Sequence, residues 1–519
     1  MITGIQSYST AQKIADNTKN HKLTLIKAPI SVSAFLSESI TKEILSNQKI
    51  KDFEFILLPG FIQWDTTNLE KKFSIPIRKG PRFLSDLPAI LKQLEALELS
   101  NKIPACDLLK QSGEEKFEEM LKARIHIAQT LTTTHTFIVS ERFPDKIIGR
   151  GLPPLIIAEI INATEKNFQQ LDKKITHYIE SGADIVDLGC VSNKPNPTRL
   201  KEIIEYLRNK YSILLSADTL NSDEIDSAID AGIDLILSLD FGNYKNHLNA
   251  PKNIPFVLLP TDTTKAIMPK TPEDRVLKLF ELATILKNEG FTKLILDPLL
   301  ETPISPGFLN SINAYSLYNK KIKEESNKHL EFPLFFGVSN VVELIDIDSI
   351  GINGLLACIA AELDIGVVFT VEHSAKLFNG VKEIKEGIKL AYLSKYKNLP
   401  PINQGIQVLS AKGKRKIDLP KINQSNAVFV GGSDENYLSD PAGYFKIYSN
   451  LYSEEIYVLH FSNDDKLENT IIGKNAEAIS KKIIKMDITR DPFHLNYLGR
   501  ELKKAELCTK SGKYYIQDE

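Results

Sequence analysis

The stretch GADIVDLGCVSNKPNP, residues 182–197, sets a short apolar run carrying one aspartate against a polar, proline-rich loop. Before it lies EKNFQQLDKKITHYIESG, residues 165–182, whose apolar positions recur at helical spacing. A strand so uniformly apolar is buried on both faces, as in a parallel sheet covered by helices. Working outward, the theme recurs as PLIIAEII, SILLSAD, DLILSLD, PFVLLP, KLILDP, PLFFGVS and GVVFTV, with amphipathic segments such as PEDRVLKLFELATILKNEG between most of them. Eight such runs in about 220 residues match a (β/α)8 TIM barrel over residues 147–395. An open doubly wound sheet needs no particular strand number and stays open on this pattern. Either way the fold class is α/β.

At 519 residues the chain exceeds one ordinary domain. Residues 1–146 alternate runs such as KLTLIKAP, FEFILLPG and HTFIVSE with polar helical stretches, which predicts an N-terminal Rossmann-like α/β domain. Residues 396–425 mix Pro, Gly and basic residues as a linker, and residues 426–519 read as a small C-terminal α+β domain. A net charge of -2 gives no basis for nucleic-acid binding. The N-terminus has no signal-peptide core, and no run approaches the ~20 apolar residues that span a bilayer. A cytoplasmic location is expected, with no membrane partner. Four scattered cysteines, without a CxxC pair, suggest isolated reduced thiols. Lys79 and Arg82 flank a Gly-Pro turn that would suit phosphate, though a solvated turn is the commoner use of such a sequence. His494 and Arg500 are the most chemical residues of the last region, and a lone histidine near a helix start is more often structural.

In a (β/α)8 barrel, catalytic groups sit at the C-terminal ends of strands and in the loops beyond. The polar residues there are Asn162, Asp187, Asp218, Ser238, Asp240, Asp297, Ser339, Asn340, Glu372 and His373, with Ser192, Asn193 and Lys194 in the second loop. A carboxylate at such a position accepts paired N–H donors from a ligand edge, as it does from arginine. The bland alternative is an aspartate capping the next helix.

The ordered set AEIINAT, GADIVDLGCVSNKP, SADT and LILDP resembles the signatures of dihydropteroate synthases, across about half the chain. The resemblance implies that Asp218 and Asp297 contact a pterin, and that Asn193 and Lys194 lie in the mobile loop over the second substrate. It further implies that Asn162 holds the diphosphate leaving group through a divalent cation, Mg²⁺. Asp187, Ser238 and Asn340 would complete the substrate contacts, with His373 on the phosphates. Departures are equally plain. ATEKNF replaces the first loop, Leu237 and Ser238 stand where the family places Asn, and GVSN replaces Ser-Arg-Lys. The final Arg-x-His keeps only His373, and Lys376 is the expected source of the missing positive charge.

Overall the chain is most similar to an archaeal dihydropteroate synthase-like family placed in tetrahydromethanopterin biosynthesis. That implies condensation of a 6-hydroxymethyl-dihydropterin diphosphate with an aryl amine, a ribofuranosyl-aminobenzene phosphate. The last region, DPFHLNYLGRELKKAELC, resembles a small domain of archaeal pterin proteins. Two alternatives stay open: a pterin-dependent methyltransferase working with a corrinoid protein, since GVSN is shared with those enzymes, and a non-catalytic pterin carrier. A homodimer is one assembly open to any of them.

Overall fold

The computed structural model describes residues 1–18, 21–95, 97–130, 135–402, 404–406, 408 and 440–517. Most of the expected linker, and the NAVFV run that opens the last region, lie outside the described residues. Two compact units divide the chain: residues 1–130 with 386–419, and residues 131–385 with 420–519.

In the first unit, strand β1 (Ile2–Thr3) pairs in parallel with β2 (Ile26–Lys27), and β3 (Ile56–Leu58) with β4 (Ile77–Lys79). A helix crosses between the members of each pair, Ile5–Asp16 and Thr67–Phe73. Ile2, Leu58 and Ile77 are fully buried between them. The first unit is thus α/β as expected, but its described strands form two separate parallel pairs instead of one Rossmann-like layer. The Lys79–Arg82 turn is no anion site. Lys79 is buried with its ammonium on the carbonyl of Ile62 (3.0 Å), and Arg82 is held bidentately by Asp107 at 2.5 and 2.7 Å.

The second unit begins with an antiparallel hairpin, β5 (Thr136–Ile138) with β6 (Ile147–Gly149), which straddles the change of texture at residue 146. Each of the eight apolar runs then forms a strand. They are β7 (Leu155–Ile160), β8 (Ile185–Gly189), β9 (Leu214–Asp218), β10 (Leu235–Leu239), β11 (Phe256–Leu258), β12 (Leu294–Leu296), β13 (Phe335–Gly337) and β14 (Val367–Val371). Neighbours pair in parallel in the order β12-β11-β10-β9-β8-β7-β14-β13. A single parallel bridge, Leu296 to Leu334, closes the ring. The helix Phe168–Ser181 shows how tightly the connections are specified. A capping box of Asn167 and Gln170 starts it, and Gly182, at φ 95°, ends it in the left-handed conformation that glycine adopts without strain.

Phe137, Val139 and Ile148 of the hairpin pack against the inward residues Leu155, Ile157, Ile185, Leu214, Leu235 and Ile295. The N-terminal end of the barrel is therefore plugged with hydrocarbon, which leaves polar chemistry to the other end.

The C-terminal residues form an antiparallel sheet of β15 (Tyr444–Asn450), β16 (Glu455–Phe461) and β17 (Leu467–Gly473). The helices Ala476–Lys485 and Pro492–Lys510 bury Ile479, Leu498 and Leu502 against Phe445, Ile456 and Val458. His494 is buried with Nδ1 on Asp440 at 2.7 Å, so it serves this domain's packing. The domain rests on the barrel rim: Lys513 donates to the carbonyl of Lys376 at 2.8 Å and pairs with Asp348 at 3.2 Å. Gly512, at φ 70°, lies where a Cβ would come within 3.0 Å of the Phe378 carbonyl. No helix among the described residues is long and apolar enough to cross a membrane.

Candidate active site

Parallel register places three acids side by side. Glu159 on β7 is opposite Asp187 on β8, and Gly189, two residues on, is opposite Asp218 on β9. The carboxylates of Glu159, Asp187 and Asp218 each offer an oxygen within 4.8 Å of the others. Gly189 is needed for this, since a Cβ there would stand only 2.1 Å from Oε1 of Glu159. Asp187 is fully buried; its Oδ1 accepts from the Ser216 hydroxyl at 2.6 Å, while its Oδ2 has no partner. An unmatched buried acceptor is costly, and here it faces two more acids.

Electrostatics follow from that crowding. Burial, with the charges of Asp218 and Glu159, holds the Asp187 carboxyl well above the usual range. Burial pushes Asp218 up to about 6. Burial and then Asp218 push Glu159 up to about 7. Just past β12, burial also raises Asp297 to about 7, against hydrogen bonds from the Leu299 amide (2.8 Å) and the Tyr315 hydroxyl (3.2 Å). Both of those bonds fall on Oδ1. The buried Arg275 orders the loop beyond through the Leu299 carbonyl at 2.9 Å and Glu301 at 2.5 Å. The set is oxygen-rich and lacks donors, so it suits a ligand edge with several N–H groups or a hard cation.

The remaining sequence-derived residues are spread around the same rim. Asn162 is exposed just past β7, at φ 51°. Asn193 and Lys194 are exposed, and Lys194 reaches Glu165 of the preceding loop at 3.1 Å. Ser238 is buried, its carbonyl accepting from Asn243 at 3.1 Å. Asp240 is wholly enclosed by the amides of Gly242 and Thr263 (both 2.7 Å) and the Thr261 hydroxyl (3.0 Å), which makes it a loop organiser. Asn340 donates to the Leu300 carbonyl at 3.0 Å, tying the loop after β12 to the end of β13. Lys376 does not supply the missing charge. Its ammonium is bound to the carbonyls of Glu343 (2.9 Å) and Ile345, because the chain folds back on itself there.

Beside the acids opens a cavity of ≈ 240 Å³, lined by Glu159, Lys166, Lys174, His373, Ser374 and Phe378, with Tyr452 and Tyr514 from the C-terminal domain. At its wall Glu372 accepts from His177 at 2.7 Å and from the Val381 amide at 3.1 Å, and the His177 ring stacks on Phe378 at 4.8 Å. Glu159, Lys174 and His177 were missed by reading only strand ends. Glu159 was visible as a lone acid inside an apolar run; the other two are helix residues whose role depends on tertiary contact.

Similarity to known proteins covers both the barrel and the C-terminal region. A family model described as "Pterin binding enzyme" matches residues 159–353, and one described as PterinBD-DUF4346 matches residues 439–518. An uncharacterized protein of Methanocaldococcus jannaschii, MJ0107, is 33% identical over 521 residues, covering 98% of this chain and 96% of that protein. The dihydropteroate synthase of Bacillus subtilis is 26% identical over 166 residues, covering 28% of this chain and 58% of that protein. Among solved structures, Yersinia pestis dihydropteroate synthase with a pterine-sulfa conjugate aligns with a TM-score of 0.37 at 18% identity, over 47% of this chain and 94% of that one.

Proposed function

The chain belongs to the dihydropteroate synthase-like pterin-binding family, and from that premise we propose that it is a transferase. It joins 6-hydroxymethyl-7,8-dihydropterin diphosphate to an aryl amine, a ribofuranosyl-aminobenzene phosphate, in tetrahydromethanopterin biosynthesis. The observation that carries this reading is the set of buried, unneutralised acceptors at the barrel mouth, with Oδ2 of Asp187 lacking any donor. The amino-pyrimidinone edge of a pterin presents an amino group and a ring N–H side by side. Asp297 accepts that edge, its protein bonds being confined to Oδ1, and Asp218 supports it.

In the reaction the bond from the methylene carbon to diphosphate oxygen breaks, the amine lone pair forms the C–N bond, and one amine proton is released. The positive charge that develops on the pterin as diphosphate departs is stabilised by Asp218 and Asp297 in their ionised forms, which act as preorganised counter-charges. His373, exposed at the rim, hydrogen-bonds the phosphates. Asn193, Lys194 and Asn340 position the substrates from the loops.

An all-oxygen donor set fits Mg²⁺ in kind. Glu159, Asp187 and Asp218 are the anionic residues able to hold it, and Asn162 offers a neutral oxygen at the rim. When bound, such a cation supplies charge neutralisation for the departing diphosphate.

The test is diphosphate release from the dihydropterin diphosphate. Release that requires both the aryl amine and Mg²⁺ is expected. Absence of release with all three present, or release indifferent to Mg²⁺, would defeat the synthase reading.

A further inference from the structure

The cavity beside the carboxylates differs from them in chemistry. Glu159 of that cluster and Glu372 reach its lining, but its other polar groups include several donors: the ammonium groups of Lys166 and Lys174, the His373 ring, and the Ser374 hydroxyl, which is buried with no partner. Lys174 gives one bond, to the Glu372 carbonyl at 3.1 Å, and burial lowers its pKa below the ordinary lysine value. Glu372, the nearby acid on this wall, is already matched by His177 and the Val381 amide. Two ammonium groups beside an unmatched buried hydroxyl suit an anion.

Its other surface is aromatic, and much of it comes from outside the barrel. Tyr452 follows β15 and Tyr514 follows the last helix of the C-terminal domain, and both line the cavity. They remain 42% and 53% exposed. Tyr452 is set edge-on to Phe378 at 5.2 Å and to His177 at 5.7 Å, with the Lys173 ammonium 3.9 Å from its ring centroid. These contacts hold one ring in place while leaving part of it open. Lys513, which anchors the domain on the rim, is the immediate chain neighbour of Tyr514, and Gly512, packed close to the Phe378 carbonyl, precedes it. Anchor and lining are thus one segment.

We propose that the C-terminal domain completes the acceptor subsite: Tyr452 and Tyr514 pack on the ring of a planar aryl ligand whose acid group is held by Lys166, Lys174 and Ser374. This rests on the synthase reading for the ring's role as acceptor, but the binding claim stands on the cavity itself. It gives the small domain a task, since the barrel wall alone offers Phe378 and Tyr178 as its aromatic side chains. It also separates the pterin ring from the aryl acid by chemistry, a donor edge over acids and an acid group over donors.

The experiment is calorimetric titration of the full-length protein with 4-aminophenyl phosphate, aniline, inorganic diphosphate and 6-hydroxymethyl-dihydropterin as four separate probes. Wild type should bind the aryl phosphate at least about tenfold more tightly than aniline, because the acid group is recognised. Tyr452→Ala and Tyr514→Ala should each weaken the aryl phosphate about tenfold, with diphosphate and pterin affinities unchanged. Tyr452→Phe should restore aryl affinity, which a general loss of folding would not allow. Lys166→Gln should remove the preference for aryl phosphate over aniline. Aryl affinity indifferent to both tyrosines, or equal weakening of aryl phosphate, diphosphate and pterin, overturns the proposal. A wild-type protein that binds the aryl phosphate but no pterin would instead sink the synthase reading and leave the subsite standing.

Discussion

Asp184 and Asp187 are three residues apart at one strand, yet the barrel treats them oppositely. Asp184, at the plugged end, accepts from Lys146 at 2.7 Å and the Ile156 amide at 3.0 Å, and Lys385 stands 3.7 Å away. Burial works against its charge, but Lys385 and Lys146 win and hold its carboxyl below the usual range. Asp234 repeats the pattern two strands on, with Arg142 at 2.7 Å and Arg208 at 3.2 Å. Asp187, at the open end, has only the Ser216 hydroxyl and two further acids for company, and its carboxyl is driven up. One end spends its aspartates on holding strands together; the other keeps them unmatched for a ligand.

The largest expected effect breaks the plugged end. Asp184→Ala strips a buried partner from Lys146 and from the Ile156 amide, and should cost about 3–5 kcal/mol in urea unfolding. Asp187→Asn removes a charge that its neighbours oppose, so stability at pH 8 should hold or rise. A matching loss in both variants would erase the distinction between the two ends.

Acidity sharpens the comparison. A carboxyl raised in the folded state binds its proton more tightly folded than unfolded, so its contribution favours folding at low pH and is lost as pH rises. For Glu159, Asp218 and Asp297 that loss spans the window from the ordinary carboxylate range up to about 6–7. Asp184 has the opposite sign, stabilising above the ordinary range and losing its contribution as pH falls below it. Asp297→Asn should therefore flatten the decline in stability between pH 4.5 and 7.5, by roughly 2–4 kcal/mol. An unchanged profile would mean that folding does not raise the pKa of the Asp297 carboxyl above the ordinary carboxylate range.

The smallest effect lies at the rim. Lys194→Ala breaks an exposed bridge to Glu165 and should change stability by less than about 0.5 kcal/mol. A larger loss would show that the two loops are part of the folded core instead of covers over the site.

The barrel was legible because each of its strands is apolar throughout, a pattern that survives without knowledge of partners. Asp187, Asp218 and Asp297 were legible for the same reason, as the polar residues punctuating those runs. Glu159 is less legible, because Asn162 lies nearer the end of the same run, whereas parallel register brings Glu159 beside Asp187. The fates of Lys79, Arg82 and Lys376 depend on carbonyls and acids distant in sequence, which no local pattern announces. The aromatic contribution of Tyr452 and Tyr514 was hidden likewise, since it exists only once the last domain meets the rim.

The central claim is that acids left unmatched at the barrel mouth recognise the donor edge of a pterin. Calorimetric titration of wild type and Asp297→Asn with 6-hydroxymethyl-dihydropterin tests it most directly. The substitution keeps volume but sets a donor against a donor, and an unmatched buried group costs about 1–3 kcal/mol, so affinity should fall roughly tenfold or more. Equal affinity in the two proteins would contradict the account.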